Sequence, residues 1–536
     1  MPVPDMFREG MQRGWLVVDG SQPLPHLPSA DVVIIGSGAG GATAAEILSE
    51  AGLQVYILEE GSLKTSTDFH NDELKAYAEM YQEGALRTSA DGGVAILQGR
   101  TVGGTTTVNW TSSFRTPSST LAQWRSQWGI DYATDSAMEP WFARMEQRLN
   151  VSRWQMAPNA NNDVIRKGCE ALGWGWDIIP RNVKGCWNLG YCGTGCPVNA
   201  KQSMLVTSLP AALEKGAVLI HSLRAVKLDH HKGEVLGVQC QGMNGTLTSA
   251  NGPKVTLHAP RFILAGGAIN NPGLLLRSKA PDPHKQLGKR TFLHPVCMTL
   301  ATFNTPIDGF YGAPQSVYSD HFNEVPAESQ RMGFKLEVPP MQPSIVAALM
   351  GGFGEQHYNR IQDLSKSNLM LALMRDGFFA DDPGGSVRLR SNGDAVLDYP
   401  LNERLWNTVA EAYVRMAEIQ FAAGAKEVTP LHINGLATGS IETFKAQTYK
   451  QKNEQGFTGS LRYEPISVRL SSAHVMGGCA MGADERRSVV NTDGRHHQLQ
   501  NLIVMDGSLF PTSVGANPQL SIYALAARLA TEFIKK

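Results

Sequence analysis

Asp31-Val-Val-Ile-Ile35-Gly36-Ser-Gly38-Ala-Gly-Gly41 decides the fold. Val32 to Ile35 is a short β-branched apolar run, the pattern of a strand buried on both faces of a parallel sheet. The glycines open onto Ala42 to Glu50, rich in helix formers, and then onto a second apolar run, Gln54-Val-Tyr-Ile-Leu58, closed by Glu59. Strand, helix and strand make one βαβ unit. Gly36 allows the tight turn, Gly38 lets a pyrophosphate approach the backbone, and Gly41 lets the helix pack against the strand. The helix N-terminus then faces the phosphates. Glu59, about 18 residues beyond Gly41, is placed to accept from both ribose hydroxyls of an adenosine and to repel a 2′-phosphate. The unit reads as a dinucleotide site. It leaves FAD and NAD undecided, because both offer the same adenosine.

Gly99-Arg100-Thr-Val-Gly103-Gly104-Thr105-Thr-Thr-Val108-Asn109 is a second Gly-rich loop, with hydroxyls and backbone N–H donors suited to phosphates and a ring edge. Farther along come Ala265-Gly-Gly-Ala-Ile-Asn-Asn271-Pro272, then Ser472-Ala-His474, Asp506-Gly507, and Gly515-Ala-Asn517-Pro518. In this order the segments resemble those of the glucose-methanol-choline oxidoreductase family, and the resemblance spans most of the chain. It implies FAD, bound without a covalent link because Val108 stands where covalently flavinylated members carry His. It also implies cofactor contacts from Arg100, Gly103, Gly104, Thr105 and Asn109, from the Val226 backbone against adenine, and from Asp506 and Gly507 near the ribityl-phosphate. Asn271 and Lys279 depart from the family's usual residues; Asn271 is expected to cap the helix that Pro272 begins.

Oxidising an alcohol requires the hydroxyl proton to be removed while hydride leaves the carbinol carbon, so a base has to sit beside flavin N5. The resemblance implies His474 as that base and Asn517 as the group that orients the substrate oxygen. His294-Pro295 reads as packing. The pairs His230-His231 and His496-His497 read as polar turns without metal-ligand spacing, and no metal site is expected from them.

Residues 185–197 hold Cys186, Cys192 and Cys196. Their spacing resembles the iron-sulfur segment of bacterial FAD-dependent sugar dehydrogenases, whereas Ala200-Lys-Gln-Ser203 resembles fatty-alcohol oxidases. The loop has three readings: buried thiols that bind nothing, a [3Fe-4S] relay to an external acceptor, and a zinc site.

The chain has 536 residues, enough for two domains. Its 48 Lys plus Arg against 49 Asp plus Glu leave a net charge of −1, so there is no basic field for nucleic acid. Seven cysteines, an odd number, argue against a disulfide framework and for a reducing compartment, the cytoplasm, with contact at the inner-membrane surface left open. No apolar run approaches the roughly 20 residues that cross a bilayer, and residues 1–29 lack the apolar core of a secretory signal.

These readings predict an α/β protein: a Rossmann-like FAD-binding domain and a second α+β substrate-binding domain of antiparallel sheet plus helices. The expected bounds are an N-terminal arm at 1–28, FAD-binding stretches at 29–113, 216–295 and 466–536, and substrate-binding stretches at 114–215 and 296–465. Within the latter, Leu405, Val409, Tyr413, Met416 and Phe421 sit near helical spacing and predict a packed helix over Glu403–Ala423. Phe310, Tyr311, Tyr318 and Phe334 are candidates for an apolar cavity. The expected activity is FAD-dependent oxidation of a primary aliphatic or aromatic alcohol, with electrons passed to a quinone, a cytochrome or another acceptor. The alternatives are an oxygen-reducing alcohol oxidase, a sugar dehydrogenase with a [3Fe-4S] relay, a lyase on the same scaffold, and a non-catalytic flavoprotein.

Overall fold

The computed structural model describes residues 3–244, 250–326, 328–449 and 459–535, and of Gln356 the backbone alone. The expected bounds also take in 1–2, 245–249, 327, 450–458 and 536, which lie outside the described residues.

Six parallel strands form the first sheet, in the order Leu16–Asp19, Val218–His221, Val55–Leu58, Val32–Ile35, Arg261–Leu264, Leu502–Val504. Val32 to Ile35 and Val55 to Leu58 are buried throughout, as a parallel sheet covered on both faces requires. The helix Ala39–Glu50 covers one face and packs against the C-terminal helix Gln519–Lys535. Leu16–Asp19 lies within the stretch expected as an N-terminal arm. It pairs in register with Val218–His221 as an edge strand, and the short run Leu-Val-Val-Asp gave no sign of that distant partner.

The second sheet has eight strands, in the order Val94–Ile96, Leu470–Ser472, Val296–Thr302, Ser367–Met374, Phe334–Glu337, Val317–Phe322, Asp177–Ile178, with Glu427–Pro430 also paired to Val296–Thr302. All its pairings are antiparallel except that of Val94–Ile96 with Leu470–Ser472. The helix Glu403–Ala422 lies across one face and buries Leu405, Val409, Tyr413 and Met416. Every residue of Ser367–Met374 is buried, and the period of two divides it: Met370, Ala372 and Met374 join the core under that helix, while Leu369, Leu371 and Leu373 point the other way. That other face borders a cavity between the two sheets.

Candidate active site

The cavity measures about 1240 Å³ and opens where the parallel strands end, at Gly36, Glu59 and Ala265. Ligands of open α/β sheets bind there, beyond the carboxyl ends of the strands.

Its glycine rim fits a dinucleotide. Gly36 has φ +110°, and a Cβ on it would lie 2.3 Å from the Ala265 carbonyl oxygen. A Cβ on Gly41 would lie 1.9 Å from the Gly36 carbonyl oxygen, so Gly41 serves helix packing and does not line the cavity. Gly38 differs: the nearest atom to its Cβ position is Gly104 Cα at 3.8 Å, and the space beyond is cavity. Gly38→Ala should therefore fold with an unchanged melting temperature for the apoprotein and bind FAD at least about tenfold more weakly, read by flavin fluorescence titration. Equal affinity would remove Gly38 from the phosphate path. The sequence reading missed Gly40. Its Cβ would fall 1.7 Å from the Met505 carbonyl oxygen, where the helix meets the end of the last parallel strand.

The second loop forms the opposite wall. Gly104, Thr105 and Asn109 line the cavity, whereas Gly103 (φ +86°) stands behind it and donates its N–H to Ser37 Oγ at 3.0 Å. Thr105 Oγ accepts from Gly99 N at 3.0 Å, and Asn109 donates to Gln519 Oε1 at 2.7 Å. Val108 is buried and lines the cavity.

Glu59 is held by Ser37 Oγ (2.6 Å), Ser37 N (3.2 Å) and Gly61 N (2.8 Å). Three of about four acceptor positions are thus filled from within, leaving room for one ribose hydroxyl where the sequence suggested two. Glu60, unassigned from the sequence, lies beside it and pairs with Arg100 Nε at 2.7 Å and Arg224 Nη2 at 3.0 Å. Burial works to raise its carboxyl, but Arg224 and Arg100 prevail and hold it at about 2. Arg100 Nη2 is buried without a protein partner on the cavity wall, a donor suited to an anionic or carbonyl group of the cofactor.

Val226 falls between Ala225 and Lys227, which pair with successive residues Cys240 and Gln239. It is the extra residue of a β-bulge that borders the cavity, a device that re-aims the backbone. Asp506 accepts from Gly267 N (2.7 Å), Asn271 Nδ2 (2.9 Å), Ser508 N (2.9 Å) and Ser508 Oγ. Its carboxylate is saturated by protein donors and ties its own stretch to the one that holds Gly267 and Asn271, so what Asp506 and Gly507 present to the cavity is chiefly backbone. Asn271 does not cap its helix. The helix starts two residues before Pro272, at Asn270, and Asn271 Oδ1 reaches back to accept from Gly266 N at 2.8 Å.

His474 and Asn517 share the far part of the cavity. His474 Nδ1 lies 3.2 Å from His294 Nδ1. This corrects the reading of His294 as packing, which had no way to see a contact between residues 180 positions apart. His294 is 1% exposed with a left-handed backbone (φ +46°), its N–H donates to Asp376 Oδ1, and Gly515 N–H donates to its Nε2 at 2.9 Å. An accepting Nε2 means that neutral His294 carries its proton on Nδ1 and directs it at His474. Neutral His474 then carries its proton on Nε2, the ring nitrogen without a protein partner. Burial lowers His474 to about 4 and takes His294 well below the ordinary imidazole range, so both rings are neutral at pH 7. Asn517 donates from Nδ2 to Glu337 Oε2 at 3.2 Å.

Beyond these residues one stretch of the cavity wall is aliphatic, with Trp110 packed against it. Val296 pairs with Leu373 and Met298 with Leu371 across adjacent strands, Leu369 continues the same face, and Pro340, Ile345 and Leu349 also line the cavity. Of the aromatic candidates, Phe310 and Tyr311 are surface residues, and Tyr318 and Phe334 pack within the second sheet; none borders the cavity.

Cys186, Cys192 and Cys196 are free thiols, each partly exposed. Lys201 fastens their loop to the second Gly-rich loop, donating from Nζ to the carbonyls of Thr107 (2.6 Å), Asn109 (3.0 Å) and Cys192 (2.6 Å). Among the described residues no three or more His, Cys, Asp or Glu side chains are grouped to hold a metal ion. None of the described helices is long and apolar enough to cross a membrane.

Family models for GMC oxidoreductases match residues 77–296 and 381–526. A long-chain-alcohol oxidase of Arabidopsis thaliana, FAO1, is 28% identical over 98% of this chain and 70% of its own length. The GMC-type oxidoreductase y4nJ of Sinorhizobium fredii is 30% identical over 94% of each chain. Among solved structures, a formate oxidase of Aspergillus oryzae superposes with a TM-score of 0.68 at 15% identity, covering 96% of this chain and 99% of its own. Pyridoxine 4-oxidase superposes with a TM-score of 0.63 at 16% identity over 95% and 100%. At that identity the likeness is one of fold.

Proposed function

The chain belongs to the GMC oxidoreductase family, FAD-dependent enzymes acting on alcohol CH–OH donors, and on that premise we propose that it oxidises long aliphatic primary alcohols to aldehydes with His474 as the base. The observation that carries the substrate class is the aliphatic wall. From Leu373, near Asn517, to Leu369 it extends roughly 14 Å at about 3.4 Å per residue, a surface for an extended hydrocarbon chain.

FAD, held without a covalent link by the two Gly-rich loops, supplies the hydride acceptor. The protein's own residues handle the rest. Asn517 and His474 orient the substrate oxygen, and the aliphatic wall excludes water and fixes the chain. His474 exchanges a proton with that oxygen through Nε2. The resting pair presents N–H there; the base form is the other tautomer, with His474 protonated on Nδ1 and His294 on Nε2, at the expense of the Gly515 hydrogen bond.

The test is an anaerobic spectrum of the holoprotein mixed with a series of primary alcohols. Bleaching of the flavin is expected, with kcat/KM rising about fourfold per added CH2 as roughly 0.8 kcal/mol is gained for each one buried. Leu371→Phe should end that rise at a shorter chain. A profile flat in chain length would overturn the aliphatic reading. Oxygen consumption set against reduction of a quinone or cytochrome, on the same sample, assigns the acceptor; the relatives named long-chain-alcohol oxidases favour oxygen.

A further inference from the structure

Glu337 closes the strand Phe334–Glu337 with its side chain wholly enclosed. Oε2 accepts from Gln315 Nε2 at 2.6 Å and from Asn517 Nδ2 at 3.2 Å. Gln315 Oε1 in turn accepts from Ser112 Oγ at 2.6 Å, an arrangement that leaves Nε2 toward Glu337. The two remaining oxygens, Glu337 Oε1 and Asn517 Oδ1, are buried without a partner. The charges around Glu337 are few. Lys335, two residues back, pairs with Asp320 at 2.7 Å and lies over the rings of Phe114 and Tyr318. His294 and His474, beyond Asn517, are kept neutral by burial. Burial pushes the Glu337 carboxyl up, against the pull of Lys335, to about 7.

We propose that Glu337 is a positioning residue whose proton decides which end of the Asn517 amide meets the substrate oxygen. The proposal rests on the reading of Asn517 as the substrate contact. Ionised, Glu337 can only accept; it takes the Asn517 NH2 and leaves Oδ1 to accept from the substrate hydroxyl. Protonated, it donates O–H to Oδ1, and the amide turns over to present NH2 to the substrate oxygen. An alcohol satisfies either end, because its hydroxyl both donates and accepts. A carbonyl satisfies only the NH2. The switch takes one proton from solvent onto Glu337 and changes no bond to carbon.

The experiment uses the FAD-loaded protein and two unreactive probes of equal chain length, a tertiary alcohol, which has no carbinol hydrogen to lose, and a methyl ketone. Binding is followed by perturbation of the flavin spectrum from pH 5.5 to 8.5. The ratio of ketone to alcohol affinity should rise about tenfold as pH falls through 7, the expected scale for leaving one buried hydrogen bond unmade. Calorimetry in buffers of different ionisation enthalpy should show proton uptake on ketone binding above pH 7. In Glu337→Gln the new amide accepts from Gln315 and donates to Asn517 Oδ1, so the ratio should stay at its low-pH value throughout. A ratio independent of pH in the unsubstituted protein would overturn the proposal, and so would a pH dependence that survives in Glu337→Gln. The titration of the unsubstituted protein decides the matter if the variant does not fold. Bleaching by a primary alcohol on the same preparation reports separately on the functional reading, so either idea can fall alone.

Discussion

His474→Ala should slow alcohol-dependent bleaching of the flavin by about 10²- to 10⁴-fold while the flavin spectrum and the melting temperature stay close to those of the unsubstituted protein. That is the range a positioned general base contributes. The ring does little for the fold: it borders the cavity, and its Nδ1 meets His294 Nδ1 at 3.2 Å. Burial lowers His474 to about 4, below the ordinary imidazole range, so it is neutral and able to take a proton at all pH values above about 5. The acid limb of the bleaching rate should therefore fall near pH 4 to 5, with activity lost as pH drops through it, and that limb should vanish in His474→Ala. A limb near 6.5 that persists in the variant would assign the proton to another group. A variant that bleaches at an undiminished rate would remove His474 from the chemistry altogether.

Gly40→Ala should have the largest effect on the fold. The new Cβ would sit 1.7 Å from the Met505 carbonyl oxygen and 3.0 Å from Asp506 Cα, both backbone atoms of the last parallel strand's exit. Neither is the end of a flexible side chain, so the helix Ala39–Glu50 has to move off the sheet, at a cost of about 3 kcal/mol. That movement would tilt the phosphate-facing helix terminus and displace Asp506, whose carboxylate anchors Gly267 and Asn271. The expected result is a lower melting temperature together with loss of FAD, read by differential scanning calorimetry and the flavin absorbance of the purified protein. Gly38→Ala, two residues away, should weaken FAD binding alone, because its Cβ comes no nearer than 3.8 Å to another atom, an ordinary contact. If both variants melt alike, the packing argument for Gly40 fails.

The phosphate-binding turn was legible because its chemistry is local. A strand, a tight turn at Gly36 and a helix start lie within ten residues, and any chain that grips a pyrophosphate this way repeats that spacing. The helix Glu403–Ala422 was legible for a similar reason, since one buried stripe at helical spacing leaves a periodic trace. His474 and Asn517 were found only through the order of the family's segments, since a His followed 43 positions later by an Asn carries no geometric information of its own. Gly40 went unread although it lies inside the quoted stretch, because what forbids its side chain is the carbonyl of Met505, far along the chain.

What the sequence by itself determined was the βαβ unit and the family, patterns that short-range backbone geometry or motif order writes into consecutive residues; His474 and Asn517 it nominated through the resemblance alone. Only the tertiary structure decided the rest. It made Leu16–Asp19 an edge strand, set Glu60 between Arg100 and Arg224, placed His294 against His474 and Glu337 against Asn517, and turned Leu369, Leu371 and Leu373 toward a cavity. Each of these depends on which strands pair and in which register. That choice is made by burial summed over the whole core, so no single segment carries its mark.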